Sequence, residues 1–238
     1  MKQQLQLSKW LISLRNSNKV IMLTNIKTIF FDFDGTLHDS IRVYAPAFMK
    51  AYDYLVSSKH APARTWSRDE ISYWLGYNSV DMWNSFMPEL NEDIRKIASK
   101  IVGDEMSLEI KNGNGTLYPR AIETLKYLKN KEYTLVFLSN CGTNYKNLVR
   151  EQYDLDLYFD EMVCSGDFHQ IPKYDILELI IPKYASDMVI VGDRFHDIQA
   201  GIKNNIYTIG CEYGYGKQTE LNHSDYKIKE ISQLTTML

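Results

Sequence analysis

The chain has 238 residues, of which 45% are hydrophobic and 24% are charged, a composition typical of soluble globular proteins. Its net charge of −3, without a long basic run, argues against a nucleic-acid-binding protein. We find neither a signal-peptide pattern nor the roughly 18 consecutive apolar residues of a membrane span, and therefore expect a cytoplasmic protein that does not bind membranes.

The three cysteines, Cys141, Cys164 and Cys211, lie far apart and lack C-x-x-C spacing. This pattern favours a reduced intracellular protein over a disulfide framework or a zinc site. We expect Cys164 and Cys211 in the core and Cys141 in a more exposed position.

The N-terminal segment, residues 1–21, mixes leucines and Trp10 with Gln, Ser, Lys and Arg, which predicts a short amphipathic helix. We treat it as an accessory segment that precedes the first strand.

Five short apolar runs that end in polar or turn residues predict buried strands. They are Thr28–Phe31, Thr134–Leu138, Glu161–Cys164, Met188–Val191 and Ile206–Ile209. Helical spacing of apolar residues precedes the second, fourth and fifth runs. This alternation predicts an α/β fold, with a Rossmann-like parallel sheet covered by helices on both faces.

About a hundred residues separate the first predicted strand from the second, too many for a structureless loop. Helical patterns over Tyr44–Val56, Arg68–Leu75, Ser79–Phe86 and Glu92–Ile110 fill this interval. We therefore predict a helical subdomain over residues 41–115, inserted into a core of residues 22–40 and 116–238. Hinges are expected at His38–Ser40 and Asn112–Gly115, which are rich in turn-forming residues.

Two aspartates, Asp32 and Asp34, follow the first predicted strand in the run Phe31-Asp32-Phe33-Asp34-Gly35-Thr36-Leu37. A simple turn accounts for Asp34-Gly35. It does not account for Asp32, because a carboxylate at the mouth of an apolar strand is costly without a compensating cation. The pair therefore indicates a functional site.

Polar residues follow other predicted strands or open helices. Ser139 and Asn140 end the second run and are suited either to bind phosphate oxygens or to cap the next helix. Lys173 opens a helix, where a cation opposes the helix dipole, although a solvated surface lysine is the simpler interpretation. Asp193 and Asp197, four residues apart after the fourth run, would repel Asp32 unless a hard cation lay between them, and oxygen ligands favour Mg²⁺.

Four motifs follow one another along the chain: D-x-D-G-T-L from Asp32, Ser139, Lys173, and G-D-x-x-x-D from Gly192. In this order they resemble the haloacid dehalogenase-like superfamily. The helical insert, residues 41–115, resembles the cap domain of the first subclass, which includes phosphoglycolate phosphatases, and the rest from residue 22 resembles its catalytic core. Leu117-Tyr118-Pro119 and the run Glu212–Gly216 are also similar to that subclass.

The resemblance implies a role for each matched residue. Asp32 would be the nucleophile, Asp34 the general acid and base, and Thr36 would help to orient that acid. Ser139, Asn140 and Lys173 would bind the transferring phosphoryl group. The Mg²⁺ ligands would be Asp32, the backbone carbonyl of Asp34, Asp193 and Asp197.

Two positions depart from the family pattern. Arg194 replaces a small hydroxyl residue, and Tyr174 replaces the proline that frequently follows the lysine, so Lys183 is an alternative to Lys173. Because the second aspartate is typical of enzymes that act on phosphate esters, the resemblance predicts a Mg²⁺-dependent phosphohydrolase of a small phosphorylated metabolite, acting through an aspartyl-phosphate. A phosphosugar mutase similar to β-phosphoglucomutase and a non-catalytic phosphometabolite-binding regulator are the alternatives. The sequence does not predict an oligomeric state, and a monomer is compatible with it.

The run Trp74-Leu75-Gly76-Tyr77-Asn78 separates two predicted cap helices. It is interpreted equally well as a helix–helix turn around Gly76 or as a loop that approaches the phosphate. In the second case Gly76, Tyr77 and Asn78 would determine substrate specificity.

Overall fold

Six parallel strands form one sheet in the computed structural model, which describes residue 23, residues 25–184 and residues 187–238. The predicted N-terminal helix lies outside the described residues. In the order β3-β2-β1-β4-β5-β6, the sheet has the strand order of the doubly wound Rossmann fold. The strands are β1 (Thr28–Phe31), β2 (Thr134–Ser139), β3 (Glu161–Cys164), β4 (Met188–Gly192), β5 (Tyr207–Cys211) and β6 (Tyr226–Ile228).

The central strands are buried on both faces, which explains why they are recognisable as continuous apolar runs. All five predicted strands are present, with bounds that differ by at most two residues. The short β6 was not predicted. It forms an edge beside β5 and carries the exposed Lys227, a charge typical of edge strands. The predicted α/β fold class is confirmed.

Helices in the described ranges cover the sheet and fill the interval between β1 and β2. None of these described helices combines the length and apolar character that crossing a bilayer requires. They are α1 (Ile41–Ser57), α2 (Arg68–Ser72), α3 (Ser79–Phe86), α4 (Glu92–Lys111), α5 (Ala121–Asn130), α6 (Thr143–Gln152), α7 (Lys173–Ile180), α8 (Phe195–Lys203) and α9 (Leu234–Met237).

Helices α1 to α4 have a hydrophobic core of their own. Phe48, Tyr52 and Leu55 of α1 recur at helical spacing and are buried in it, together with Trp83 of α3. Helix α2 ends at Ser72 and not at Leu75 as predicted, since the chain turns through Gly76, whose φ of +85° lies in the left-handed region. The exact boundaries of a cap domain at residues 41 and 115 remain a prediction.

The two segments that enter and leave the helical insert run side by side. His38 forms a β-bridge with Leu117, and the Asp39 N–H donates to the carbonyl of Thr116 at 2.8 Å. Gly113 has a φ of +80°, and a Cβ at Gly115 would lie 2.3 Å from the Tyr153 hydroxyl. Alanine at either glycine would therefore disturb the folded structure and would not be a clean test of hinge motion.

The carboxyl ends of β1 and β4 meet where the strand order reverses. Phe31 pairs with Val191 in the sheet, and the Asp32 N–H donates to the Val191 carbonyl at 2.9 Å. This register places the segments after both strands at one edge of the sheet, the position at which ligands bind in open α/β sheets.

Candidate active site

Asp32, at the end of β1, lies at the centre of a buried charge cluster. The Lys173 ammonium donates to Asp32 Oδ1 at 2.7 Å and to Asp197 Oδ1 at 2.6 Å, and all three residues are at most 3% exposed. Lys183, the alternative lysine, instead pairs with Glu161 at 2.7 Å. Lys173 is therefore the lysine beside Asp32.

Lys173 is the first residue of α7, where its charge opposes the helix dipole. The two carboxylates compensate for this placement and for the burial of the ammonium. Burial acts to lower the pKa of Lys173, but Asp197 and Asp32 outweigh that effect and raise the pKa above its ordinary value. Lys173 is thus a fixed cation, not a solvated surface lysine.

Three carboxylates, those of Asp32, Asp193 and Asp197, have oxygen atoms within 4.8 Å of one another. Asp193 Oδ2 accepts from the Tyr215 N–H at 2.6 Å, while its Oδ1 is buried and has no hydrogen-bond partner within the described ranges. Asp197 Oδ2 accepts from the Arg194 N–H at 3.0 Å, which caps the first turn of α8. Asp197 therefore caps its helix and contributes to the cluster at the same time.

Burial is the largest influence on two of these carboxylates. It raises the pKa of Asp32 well above its ordinary value, and together with the nearby Asp197 it raises the pKa of Asp193 to about 7. One ammonium does not balance three carboxylates. The excess negative charge, the all-oxygen donors and the unpartnered Asp193 Oδ1 fit a hard divalent cation such as Mg²⁺.

Gly35 allows the loop after β1 to approach Asp193 closely. Its φ is +91°, and a Cβ at this position would lie 2.3 Å from Asp193 Oδ2. A side chain here would displace that carboxylate, so the glycine of the first motif is a packing requirement of the site.

Asp34 is oriented by three side chains, all of which contact its Oδ1. The hydroxyls of Ser40 and Tyr145 donate to it at 2.5 Å and 2.6 Å, and His38 Nδ1 lies 3.3 Å away. Asp34 Oδ2 makes no hydrogen bond within the described part of the chain. Thr36, which the family resemblance assigns to orienting Asp34, instead donates to Asp32 Oδ2 at 3.4 Å.

The hydroxyl of Tyr145 stays protonated. Burial, followed by the negative charge of Asp34, raises the pKa of Tyr145 well above its ordinary value. Tyr145 therefore acts as a hydrogen-bond donor that fixes one oxygen of Asp34 and leaves the other for chemistry.

Ser139 and Asn140, at the end of β2, line the same cavity as Asp32 and Asp34. The Asn140 amide donates to the carbonyl of Gly76 at 2.7 Å, and its Oδ1 is buried without a partner in the described residues. Asn140 thus connects the sheet to the loop between α2 and α3.

That loop combines both interpretations drawn from the sequence. Gly76 makes the turn between α2 and α3, and Gly76 and Tyr77 also line the cavity above Asp32. Asn78 does not line it. Its side chain accepts from the Asp81 N–H at 2.8 Å and so caps α3, and it donates to the Gln170 carbonyl at 3.4 Å.

Sequence reasoning missed Ser40, His38 and Tyr145, the partners of Asp34. A usable signal existed for two of them, because His38 and Ser40 lie four and six residues beyond Asp34. Tyr145 lies 111 residues away, and only its position five residues after Asn140 suggested the same end of the sheet.

The cysteines lie largely where the sequence predicts. Cys164 and Cys211 are buried and Cys141 is partly exposed, and all three are free thiols. Although the residue is partly exposed, desolvation of its thiol and the neighbouring Cys164 raise the pKa of Cys141 well above its ordinary value, which disfavours a thiolate nucleophile.

Comparison with known proteins identifies the family. A profile of the haloacid dehalogenase-like hydrolases matches residues 26–205. The chain belongs to this family. It is 24% identical to pyrophosphatase PpaX of Bacillus pumilus over 221 residues, covering 90% of this chain and 97% of that protein. It is 27% identical to a phosphoglycolate phosphatase of Vibrio parahaemolyticus over 224 residues, covering 88% and 95% of the two chains.

The fold is also similar to that of a predicted phosphatase from Clostridium acetobutylicum. The TM-score is 0.77 at 21% identity, over 89% of this chain and 97% of that one. The family, the fold class and the enzyme class predicted from the sequence, a phosphatase of this family, are thereby confirmed.

Proposed function

We propose that this enzyme is a Mg²⁺-dependent phosphatase of a small phosphorylated metabolite and that it forms a transient aspartyl-phosphate on Asp32. The observation that carries the proposal is the arrangement of two differently held carboxylates at one cavity. Asp32 lies against Lys173 at 2.7 Å, while the hydrogen bonds that the described residues make to the Asp34 side chain all go to Oδ1.

The first step would form a bond between an Asp32 oxygen and phosphorus. The bond from phosphorus to the leaving oxygen breaks, and Asp34 gives that oxygen a proton. The three contacts to Asp34 Oδ1 leave Oδ2 for this transfer. Lys173 and the residues Ser139 and Asn140 would bind the phosphoryl oxygens, whose charge must be neutralised for transfer to proceed.

The second step would use Asp34 as a base. It takes a proton from water, the water oxygen attacks phosphorus, and the bond from phosphorus to Asp32 breaks to release inorganic phosphate. The same carboxylate thus acts first as acid and then as base.

The metal would be held by the carboxylates of Asp32, Asp193 and Asp197 and by the backbone carbonyl of Asp34. When bound, Mg²⁺ supplies positive charge that stabilises the phosphoryl oxygens. The buried, unpartnered Asp193 Oδ1 supports this assignment.

The test is release of inorganic phosphate from a panel of phosphate monoesters with Mg²⁺. We expect Asp32→Asn to lower kcat on the order of a thousandfold or more. Asp156→Asn is the matched control, because Asp156 lies in a 3₁₀ turn on the surface and, among the residues that the structure describes, pairs with Arg150 alone. Equal release by Asp32→Asn, or by the wild type in excess chelator, would refute the mechanism. The same assay distinguishes a phosphatase from a mutase or a regulator, since neither of these releases free phosphate in turnover.

A further inference from the structure

A cavity of about 400 Å³ extends from the two catalytic aspartates into the helical insert. Its size is that of a small-molecule pocket. Aromatic and thioether side chains form much of its wall: Tyr44, Trp74, Tyr77, Met82, Trp83 and Met106. Any group esterified to the phosphate must occupy this space while the phosphorus lies at Asp32.

Basic residues are almost absent from the wall. Among the described residues that line the cavity, Lys100 is the one basic side chain, and it pairs with Asp104 at 2.5 Å. Both side chains are more than 65% exposed, so this pair lies toward solvent. The Arg194 guanidinium beneath the loop is already bonded to Glu220 and to two backbone carbonyls.

Neutral hydrogen-bonding groups, in contrast, are available. Trp83 and Asn140 both line the cavity, and both are at most 6% exposed. The Trp83 Nε1 donor and the Asn140 Oδ1 acceptor have no partner within the described ranges. Such groups satisfy a neutral oxygen or nitrogen of a ligand but do not compensate a buried negative charge.

We infer that the substrate is a phosphate monoester of an uncharged, largely apolar or aromatic alcohol, without a second anionic group. This inference rests on the proposed function. Phosphoglycolate carries a carboxylate and pyrophosphate a second phosphate, and the described wall offers neither group a buried cation, since Lys100 lies toward solvent. The substrate therefore differs in charge from the compounds for which the two relatives above are named.

The experiment compares kcat/KM for substrates that differ only in the leaving group. Pentyl phosphate and 5-phosphonooxypentanoate have equal carbon counts and differ by one carboxylate. Ethyl phosphate and 2-phenylethyl phosphate differ by one ring. We expect pentyl phosphate to exceed the carboxylate by about tenfold or more, and 2-phenylethyl phosphate to exceed ethyl phosphate by about tenfold, because burying apolar surface is favourable and burying an unpaired charge is not.

A charge variant tests the wall itself. Met106→Lys should narrow or reverse the preference for pentyl phosphate over 5-phosphonooxypentanoate. Leu108→Lys is the matched control, because Leu108 is on the same helix, is 47% exposed and does not line the cavity. Leu108→Lys should leave the ratio of kcat/KM for pentyl phosphate to that for 5-phosphonooxypentanoate unchanged. If Met106→Lys does not fold, the two comparisons of kcat/KM with the wild-type enzyme still test the inference.

The outcomes separate this inference from the proposed function. Equal or higher kcat/KM for the carboxylate, or no gain from the phenyl ring, would overturn the inference while leaving the phosphatase assignment intact. No phosphate release from any of these substrates, nor from acetyl phosphate, would overturn both.

Discussion

Arg194→Met should destabilise the enzyme markedly. Arg194 is 1% exposed although it carries a full charge. Its Nε donates to Glu220 at 3.0 Å, and one terminal nitrogen donates to the carbonyl of Tyr73 at 3.1 Å and to that of Leu75. The guanidinium therefore fixes the backbone just before Gly76, which lines the same cavity as Asp32. Methionine keeps most of the apolar stem, so the variant removes chiefly the guanidinium.

The expected loss follows from the groups left behind. Two carbonyls lose a charged donor, at about 1–3 kcal/mol for each buried group that finds no replacement. Removing one partner of a buried ion pair typically costs about 3–5 kcal/mol. The cost of leaving Glu220 unpaired lies below that range, since its side chain is 15% exposed and still accepts hydrogen bonds from the N–H groups of Phe195 and Lys217. We expect a total of about 3 kcal/mol, which corresponds to a Tm lower by roughly 6–12 °C for a chain of this size.

Urea denaturation of matched variants measures this loss. Arg150→Met removes an ion pair with Asp156 whose side chains are 48% and 59% exposed, and should cost less than about 1 kcal/mol. The double variant Arg194→Met/Glu220→Gln should recover part of the loss, because the unpaired carboxylate is gone. A cost for Arg194→Met no larger than that for Arg150→Met would refute the argument.

Three further predictions concern the site. Asp34→Asn should lower kcat for alkyl phosphates far more than for aryl phosphates or acetyl phosphate, whose leaving oxygens need no proton, and an equal loss across the series would make Asp34 structural. In chelator, the raised pKa of Asp193 means that stability falls as pH rises from about 4, the ordinary value, to about 7. Denaturation at both pH values should show the loss. Mg²⁺ should remove it, and Asp193→Asn should reduce it, because Asp32 keeps a raised pKa of its own; a flat profile in chelated wild type would contradict this reasoning. The helical insert should close over Asp32 when a phosphate mimic and Mg²⁺ bind, which small-angle scattering would register as a smaller radius of gyration, and an unchanged radius would count against closure.

The parts of this fold that sequence reasoning predicted are those with local signals. β1, β2 and β4 are continuous apolar runs because both faces of the sheet are covered. Their carboxyl ends lie at one edge of the sheet, so these runs alone predict that Asp32 and Asp193 converge. The edge strand β6 has only three residues and one exposed lysine, and such a segment lacks a distinguishing period.

What the sequence could not predict depends on contacts between distant residues. Whether Lys173 or Lys183 reaches Asp32 is decided by the packing of α7 against the sheet. The role of Arg194 depends on a carbonyl 121 residues away, and the orientation of Asp34 on a tyrosine 111 residues away. Pattern and spacing carry no information about such pairs.

The proposed mechanism requires a covalent phosphoryl group on Asp32. It is tested most directly by acid quenching the enzyme during turnover of acetyl phosphate with Mg²⁺, followed by mass spectrometry of the peptide that contains residues 28–37. We expect phosphorylation at Asp32 in the wild type, its disappearance once the substrate is consumed, and no phosphorylated peptide from Asp32→Asn. A phosphoryl group on any other residue, or phosphate release at an unchanged rate by Asp32→Asn, would contradict it.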